Sequence, residues 1–345
     1  MRHHGIHLLV EQQSTNLTVA SEEVNNWTVD SATVQQNVAI SPAGTLTADR
    51  LTDDADGPRP HYVYKSTSLG VSVGSTVYTV SFYAKSSGHS ELQTYDNNQN
   101  TSANLTVNLA NGTITSGTGL IKSCGDGWHR ISYQVTADHS TTSVVRILMK
   151  SGGSNSYLGT SYKGILIWGM QVEIGSAPTS YIKTITSATA TRAADSCSVV
   201  SEQLFDNGAG ALYAEASRNS LGTYNGIASV DDGSGSNIVQ IFGNSVNFRA
   251  EVVSGGTTEA LLITTGHLAD TYHKHCVTFS SSEAKYYADG SQKGSTDTDL
   301  NIPSMSQMHL GMLNAETNGN LNGHIKRVAL YNVALSDTEL QALTS

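Results

Sequence analysis

Val77-Tyr78-Thr79-Val80-Ser81-Phe82-Tyr83-Ala84 alternates apolar and polar side chains, the period of two that an extended chain imposes by pointing successive residues to opposite faces. Trp128-His129-Arg130-Ile131-Ser132-Tyr133-Gln134-Val135 and Ser143-Val144-Val145-Arg146-Ile147-Leu148-Met149 repeat the pattern, and Gly/Ser/Asn clusters bound each run. Gly164-Ile165-Leu166-Ile167-Trp168-Gly169-Met170-Gln171-Val172 is apolar almost throughout, as a strand covered on both faces would be. Composition agrees. Of 345 residues only 14% are charged, with 32 Gly and 5 Pro, and abundant Ser, Thr, Asn, Val and Tyr suit short strands joined by tight turns. The sequence predicts an all-β protein: two antiparallel β-sandwich (jelly-roll) domains in tandem, closed by a short C-terminal helix.

Residues 184–195 are small, polar and aperiodic, which reads as an extended connector. We expect an N-terminal arm over residues 1–10, a first sandwich over 11–183, a linker over 184–200 and a second sandwich over 201–345. In the second, Asp289-Gly290 supplies the positive φ angles of a two-residue hairpin turn. Ser336 and Glu339 have capping-box spacing, so a helix should follow and pack Leu340 and Leu343 onto a sheet.

A net charge of -10 argues against nucleic acid and anionic lipid as partners. No apolar run reaches the roughly 18 residues of a membrane span, and the apolar stretch near Met1 is too short for a secretory signal. Cys124, Cys197 and Cys276 lie far apart, without disulfide or zinc-knuckle spacing.

Three motifs of the second half are similar to laminin-G or concanavalin A-like lectin/glucanase modules. Residues 271–279 resemble the family's TWHHVAVTY strand, Tyr286 to Gly290 its LYVDG hairpin, and Gly323 to Leu343 its closing G-I-x-x-V-x-L-Y-N-x-x-L-S-D-x-E-L pattern. The first half resembles the carbohydrate-binding-module-like jelly rolls of tailed-bacteriophage structural and tail proteins. That likeness rests on residues 8–17, Asn26-Trp27-Thr28, residues 41–51, Gly127-Trp128-His129-Arg130 and, above all, residues 167–182 followed by 191–195. It implies a virion component, made in the host cytoplasm without a signal peptide.

Sugar recognition needs aromatic faces beside planar polar groups. The candidates are Tyr62 and Tyr64, which share one face of a strand, either a ligand platform or the core, with Tyr95 and Asn97; in the second module they are Asn314 and Asn318 on a rim loop. Trp27, Trp128 and Trp168 fall within the resembled family's own pattern and read as core. Calcium is a candidate structural ion, because Asp53, Asp54 and Asp56 in one turn and Asp231 and Asp232 in another concentrate oxygen donors. His273 and His275 alternate on one strand and invite a transition metal, yet no third ligand stands nearby in sequence, and the lectin-module resemblance implies a partly buried histidine and a core residue here; His3, His4 and His7 read as part of the arm.

A glycosidase needs two carboxylates facing each other across the scissile bond. Asp297 and Asp299 have alternate spacing but read as a solvated loop, while Glu22-Glu23 and Asp53-Asp54 diverge, and no Gly-x-Ser-x-Gly elbow precedes a helix. We therefore expect no enzyme but a phage virion surface protein, of tail-fibre or receptor-binding type, that recognises host-surface glycans. It would bind other virion proteins and self-associate, as a trimer by analogy with virion symmetry. A capsid-decoration or tail-assembly protein binding only virion neighbours is the alternative, and a polysaccharide depolymerase the third reading.

Overall fold

The computed structural model describes residues 7–98, 105–200, 204–205, 208–219, 224–313 and 319–345. The chain divides into two units, residues 14–192 and residues 7–13 with 193–345. Each is an antiparallel sandwich.

In the first unit, one sheet runs in the order Thr113–Gly117, Leu105–Asn108, Glu91–Asp96, Thr142–Lys150, Tyr62–Ser68, Thr28–Asp30. The other runs Leu120–Ser123, His129–Thr136, Val77–Ser87, Gly164–Ile174, Leu46–Asp53, Ala32–Ile40. Val63, Leu92, Val145, Ile147 and Met149 from the first sheet meet Val80, Phe82, Ile131, Ile165 and Ile167 from the second in one buried cluster. Strand alternation is clean in the sheet that matters below. In Thr142–Lys150 the odd-numbered residues are buried and the even-numbered ones reach the surface, which places Arg146 outside.

The stretch that carries the strongest phage-protein resemblance is a structural lock. Gln171 and Glu173 are buried, and their side chains hold the returning segment: Gln171 Oε1 accepts from Ile182 N at 2.7 Å, and Glu173 accepts from Thr179 N at 3.1 Å and Thr179 Oγ1 at 2.6 Å. Gly169, at φ 65°, allows the strand to bulge between Trp168 and Gln171, which sets both side chains facing that segment. Satisfied polar groups in a core specify one packing, so this signature marks architecture.

The second unit pairs a sheet ordered Leu8–Val10, Gly323–Tyr331, Gly210–Arg218, His273–Phe279, Glu283–Ala288, Ser291–Thr298 with one ordered Ser198–Val200, Gln307–Leu310, Asn225–Asp231, Ile238–Asn244, Asn247–Ser254, Thr257–Thr264. Two expected boundaries need correction. Residues 8–10 of the expected arm are an edge strand in register with Gly323, His324 and Ile325, and Val10 sits in the second core against the bare Cα of Gly311. Within the expected linker, Ala190–Arg192 pairs with Ser14–Asn16, and Ser198–Val200 pairs with residues 307–309. The local pattern hides this because both segments are short edge strands whose partners lie more than a hundred residues away. The first sandwich is thus an insertion, in sequence, after the first strand of the second.

The terminal helix forms as expected over Asp337–Thr344, with Ser336 Oγ accepting from Glu339 N and Glu339 Oε2 accepting from Ser336 N at 2.8 Å. Leu340 is buried among Ala211, Tyr213, Cys276 and Tyr287. Ser336→Ala should cost about 1 kcal/mol of local stability, read as faster amide exchange confined to residues 337–345. No helix among the described residues is long and apolar enough to cross a membrane.

Candidate functional site

Tyr62, Tyr64 and Tyr95, proposed from separate stretches of sequence, converge on the outer face of the first sandwich. Cross-strand register does this: Arg146 lies opposite Tyr64 on one side and Tyr95 on the other, and Leu148 lies opposite Tyr62 and Gln93. The Arg146 guanidinium carbon stands 5.5 Å from the Tyr62 ring centre, 6.0 Å from Tyr64 and 5.2 Å from Tyr95. The rings of Tyr62 and Tyr64 lie 6.3 Å apart at 33°. The tyrosines are half-buried and Arg146 is exposed, while Val63 between the first two is in the core.

One edge of this face is fixed by charge. Tyr62 donates its hydroxyl to Asp30 Oδ2 at 2.7 Å; that bond holds the Asp30 carboxyl below its ordinary range and raises the tyrosine's own pKa. Arg146 donates to no protein acceptor among the described residues, so a planar fork of donors remains open above three aromatic faces. Such a surface offers ring faces to the C–H side of a pyranose, donors from Arg146, and amide and carboxylate groups from Gln93 and Asp30 for hydroxyls. Arg146 is the residue sequence reading missed, although parity sets it apart as the one charged side chain that the stretch Ser143–Met149 places on the outer face.

The remaining candidates separate. Asn97 lies off this face: its Nδ2 donates to Thr142 O at 3.0 Å and its Oδ1 accepts from Val144 N at 2.6 Å, pinning a strand start. Asn314 and Asn318 lie outside the described residues. Trp27, Trp128 and Trp168 are all buried, each donating its indole N–H to an internal oxygen.

The acidic turns do not fit calcium. Asp53 is buried with its oxygens taken by His89 Nε2 at 2.8 Å and by Thr160 N, Thr160 Oγ1 and Ser161 N at 3.0 Å. Asp54 lies 3.6 Å from His61 Nδ1, and Asp56 is exposed. Asp231 accepts from Gly233 N at 2.8 Å and stands 3.1 Å from His309, while Asp232 closes its own turn through Ser234 and Asn237. A calcium site needs six or more convergent oxygens, whereas most of these serve as turn and core acceptors, with Asp231 Oδ2 buried and without a hydrogen-bond partner. Removing the Asp53 acceptors by Asp53→Ala should cost about 3 kcal/mol in a denaturant titration, and excess calcium should leave the melting temperature of the unaltered protein in place.

The carboxylate candidates for catalysis are dispersed as well. Glu22 pairs with Lys183 at 2.7 Å, and Glu23 accepts from Thr186. Asp297 belongs to the strand Ser291–Thr298, where a loop had been expected, because it pairs with Ala284; Asp299 follows in a left-handed turn at φ 60°.

A second cluster forms in the other sandwich. His273, His275 and the core residues Val277 and Phe279 line one face of a strand, and the missing third group comes from elsewhere: His267 and Asp289 stand beside His273, with His273 Nδ1 2.7 Å from Asp289 Oδ2 and His267 Nδ1 3.9 Å from it. The hairpin brings Asp289 back to His273 across sixteen positions, a proximity that spacing along the chain conceals. His275 is wholly buried, its Nδ1 2.7 Å from Tyr286 Oη, as a core role requires. Burial first, then the neighbouring His273, lowers His267 to about 4, keeping its imidazole neutral.

Residues 191–341 match the family model described as the concanavalin A-like lectin/glucanases superfamily. The second sandwich is thus similar to laminin-G/concanavalin A-like lectin modules. Among solved structures, the chain is similar to the carbohydrate-binding module of the Ruminococcus gnavus IT-sialidase bound to α2,3-sialyllactose, with 17% identity and a TM-score of 0.35, over 40% of this chain and 83% of that one. The SAP-like pentraxin of Limulus polyphemus shows 12% identity and a TM-score of 0.35, over 42% and 74%. The NanB sialidase of Streptococcus pneumoniae, in its K499G form, shows 17% and 0.35, over 43% of this chain but 28% of its own. At these scores the likenesses identify no shared site. No curated protein matches the chain.

Proposed function

We propose that this protein binds glycans without transforming them, through the Tyr62, Tyr64, Tyr95 and Arg146 face of its first sandwich. The observation that carries the reading is the convergence of three tyrosines on one exposed guanidinium whose donors are open. The lectin-like second sandwich supports the same class of activity. The scattered carboxylates favour binding over hydrolysis.

The resemblance of residues 8–195 to phage structural proteins supports placing this activity on a virion surface, in a self-associating assembly on a tail or capsid exterior. Many copies acting together on such a surface would supply avidity beyond that of a single sandwich. The test is a glycan array probed with the full chain displayed multivalently on beads. Binding that is lost on Tyr64→Ala but kept on Tyr162→Ala, an exposed tyrosine outside this face, is the expected result. An array without signal, or one indifferent to Tyr64, refutes the reading. Cryo-EM of particles carrying the protein distinguishes tail location, expected for a receptor binder, from a capsid lattice position, expected for decoration.

A further inference from the structure

We propose that His267, His273 and Asp289 form a binding site for a divalent transition cation of the zinc class in the second sandwich. One donor atom from each lies within 4.8 Å of the others. A tetrahedral ion with bonds of about 2.0–2.2 Å spaces its donors at about 3.4 Å, between the 2.7 and 3.9 Å separating the two imidazoles from the carboxylate, so small rotations close the site.

Three features point to a ligand here. His267 is 5% exposed, yet its Nδ1, the atom 3.9 Å from the Asp289 carboxylate, has no hydrogen-bond partner. An unpaired buried imidazole nitrogen is costly unless something occupies its lone pair. His267 Nε2 lies 3.2 Å from Thr264 Oγ1, the outer contact that orients a ligating imidazole and leaves its other nitrogen to the metal. Two imidazoles and one carboxylate favour a borderline transition ion over calcium and leave a fourth position for water.

Charge decides which residue matters most. Arg218, buried with its guanidinium 4.2 Å from the Phe248 ring centre, and Lys293 both act on His267 from this end of the sandwich. A cation can therefore be held only with the negative charge of Asp289 in place. Asp289 occupies the hairpin turn at φ 47°, a left-handed conformation that asparagine also adopts, so Asp289→Asn removes the charge and preserves the turn.

Isothermal titration of the metal-free full chain with zinc chloride tests the site. The unaltered protein should bind one zinc more than Asp289→Asn and His273→Ala, or bind it at least tenfold more tightly, whereas replacing His3, His4 and His7 together by alanine should leave that equivalent intact. Cobalt substitution should produce visible tetrahedral bands without thiolate charge transfer. Equal zinc uptake by the unaltered chain and a folded Asp289→Asn variant, no uptake by either, or loss of the equivalent with the N-terminal histidines overturns the proposal. None of these outcomes depends on glycan binding.

Discussion

Arg146→Ala is expected to weaken binding to any glycan captured by the full chain at least tenfold, about 1.4 kcal/mol or more, while changing folding stability by under about 1 kcal/mol. The asymmetry follows from its position. Its guanidinium is exposed and stacked beside three rings, an arrangement worth about 0.5–1 kcal/mol at an exposed site, so the folded state loses little. A bound sugar loses the convergent donors and the cation that hold the tyrosine faces as one platform. Tyr95→Phe, which keeps a ring at the same position, should retain most of the affinity, whereas Tyr95→Ala should not. The measurement is surface plasmon resonance on an immobilised array hit. A folded Arg146→Ala protein that binds as tightly as the original shows that the face is not the glycan site.

The largest expected stability effect lies at the other end of the sequence. Val10→Asp should destabilise the second sandwich by about 4 kcal/mol or more, because it places an unpaired carboxylate in an apolar core beside Gly311 and Leu321. The chain carries its own control. All three tryptophans, Trp27, Trp128 and Trp168, belong to the first sandwich, so tryptophan fluorescence follows that unit and amide exchange of residues 210–218 and 323–331 follows the other. The expected result is an unchanged fluorescence transition with exchange protection lost in those strands. Protection retained there would mean that Leu8–Val10 is dispensable, and that residues 193–345 hold the second core by themselves.

These two tests bracket how much of the molecule is legible in its sequence. Alternation along Val77–Ala84 and Ser143–Met149 was sufficient for the all-β class, since a period of two is a local property of an extended chain. Capping residues placed the helix at Asp337, and the Asp289-Gly290 turn placed a hairpin, for the same local reason. Parity along Tyr62-Val63-Tyr64 put two tyrosines on one side of a strand. It left open whether that side was core or solvent.

Tertiary structure decided the rest, because strand order brings together residues that no spacing relates. Placing Thr142–Lys150 between Tyr62–Ser68 and Glu91–Asp96 made a site of Tyr62, Tyr64, Tyr95 and Arg146, and only the second sheet covering Val63 settled which face was outer. A hairpin delivered Asp289 to His273, and the pairing of residues 8–10 with 323–325 turned an expected arm into a strand. Local sequence determined the elements and the parity of their faces. Long-range hydrogen-bonded register, set by burying one face of each sheet, determined which faces meet and therefore where chemistry can occur.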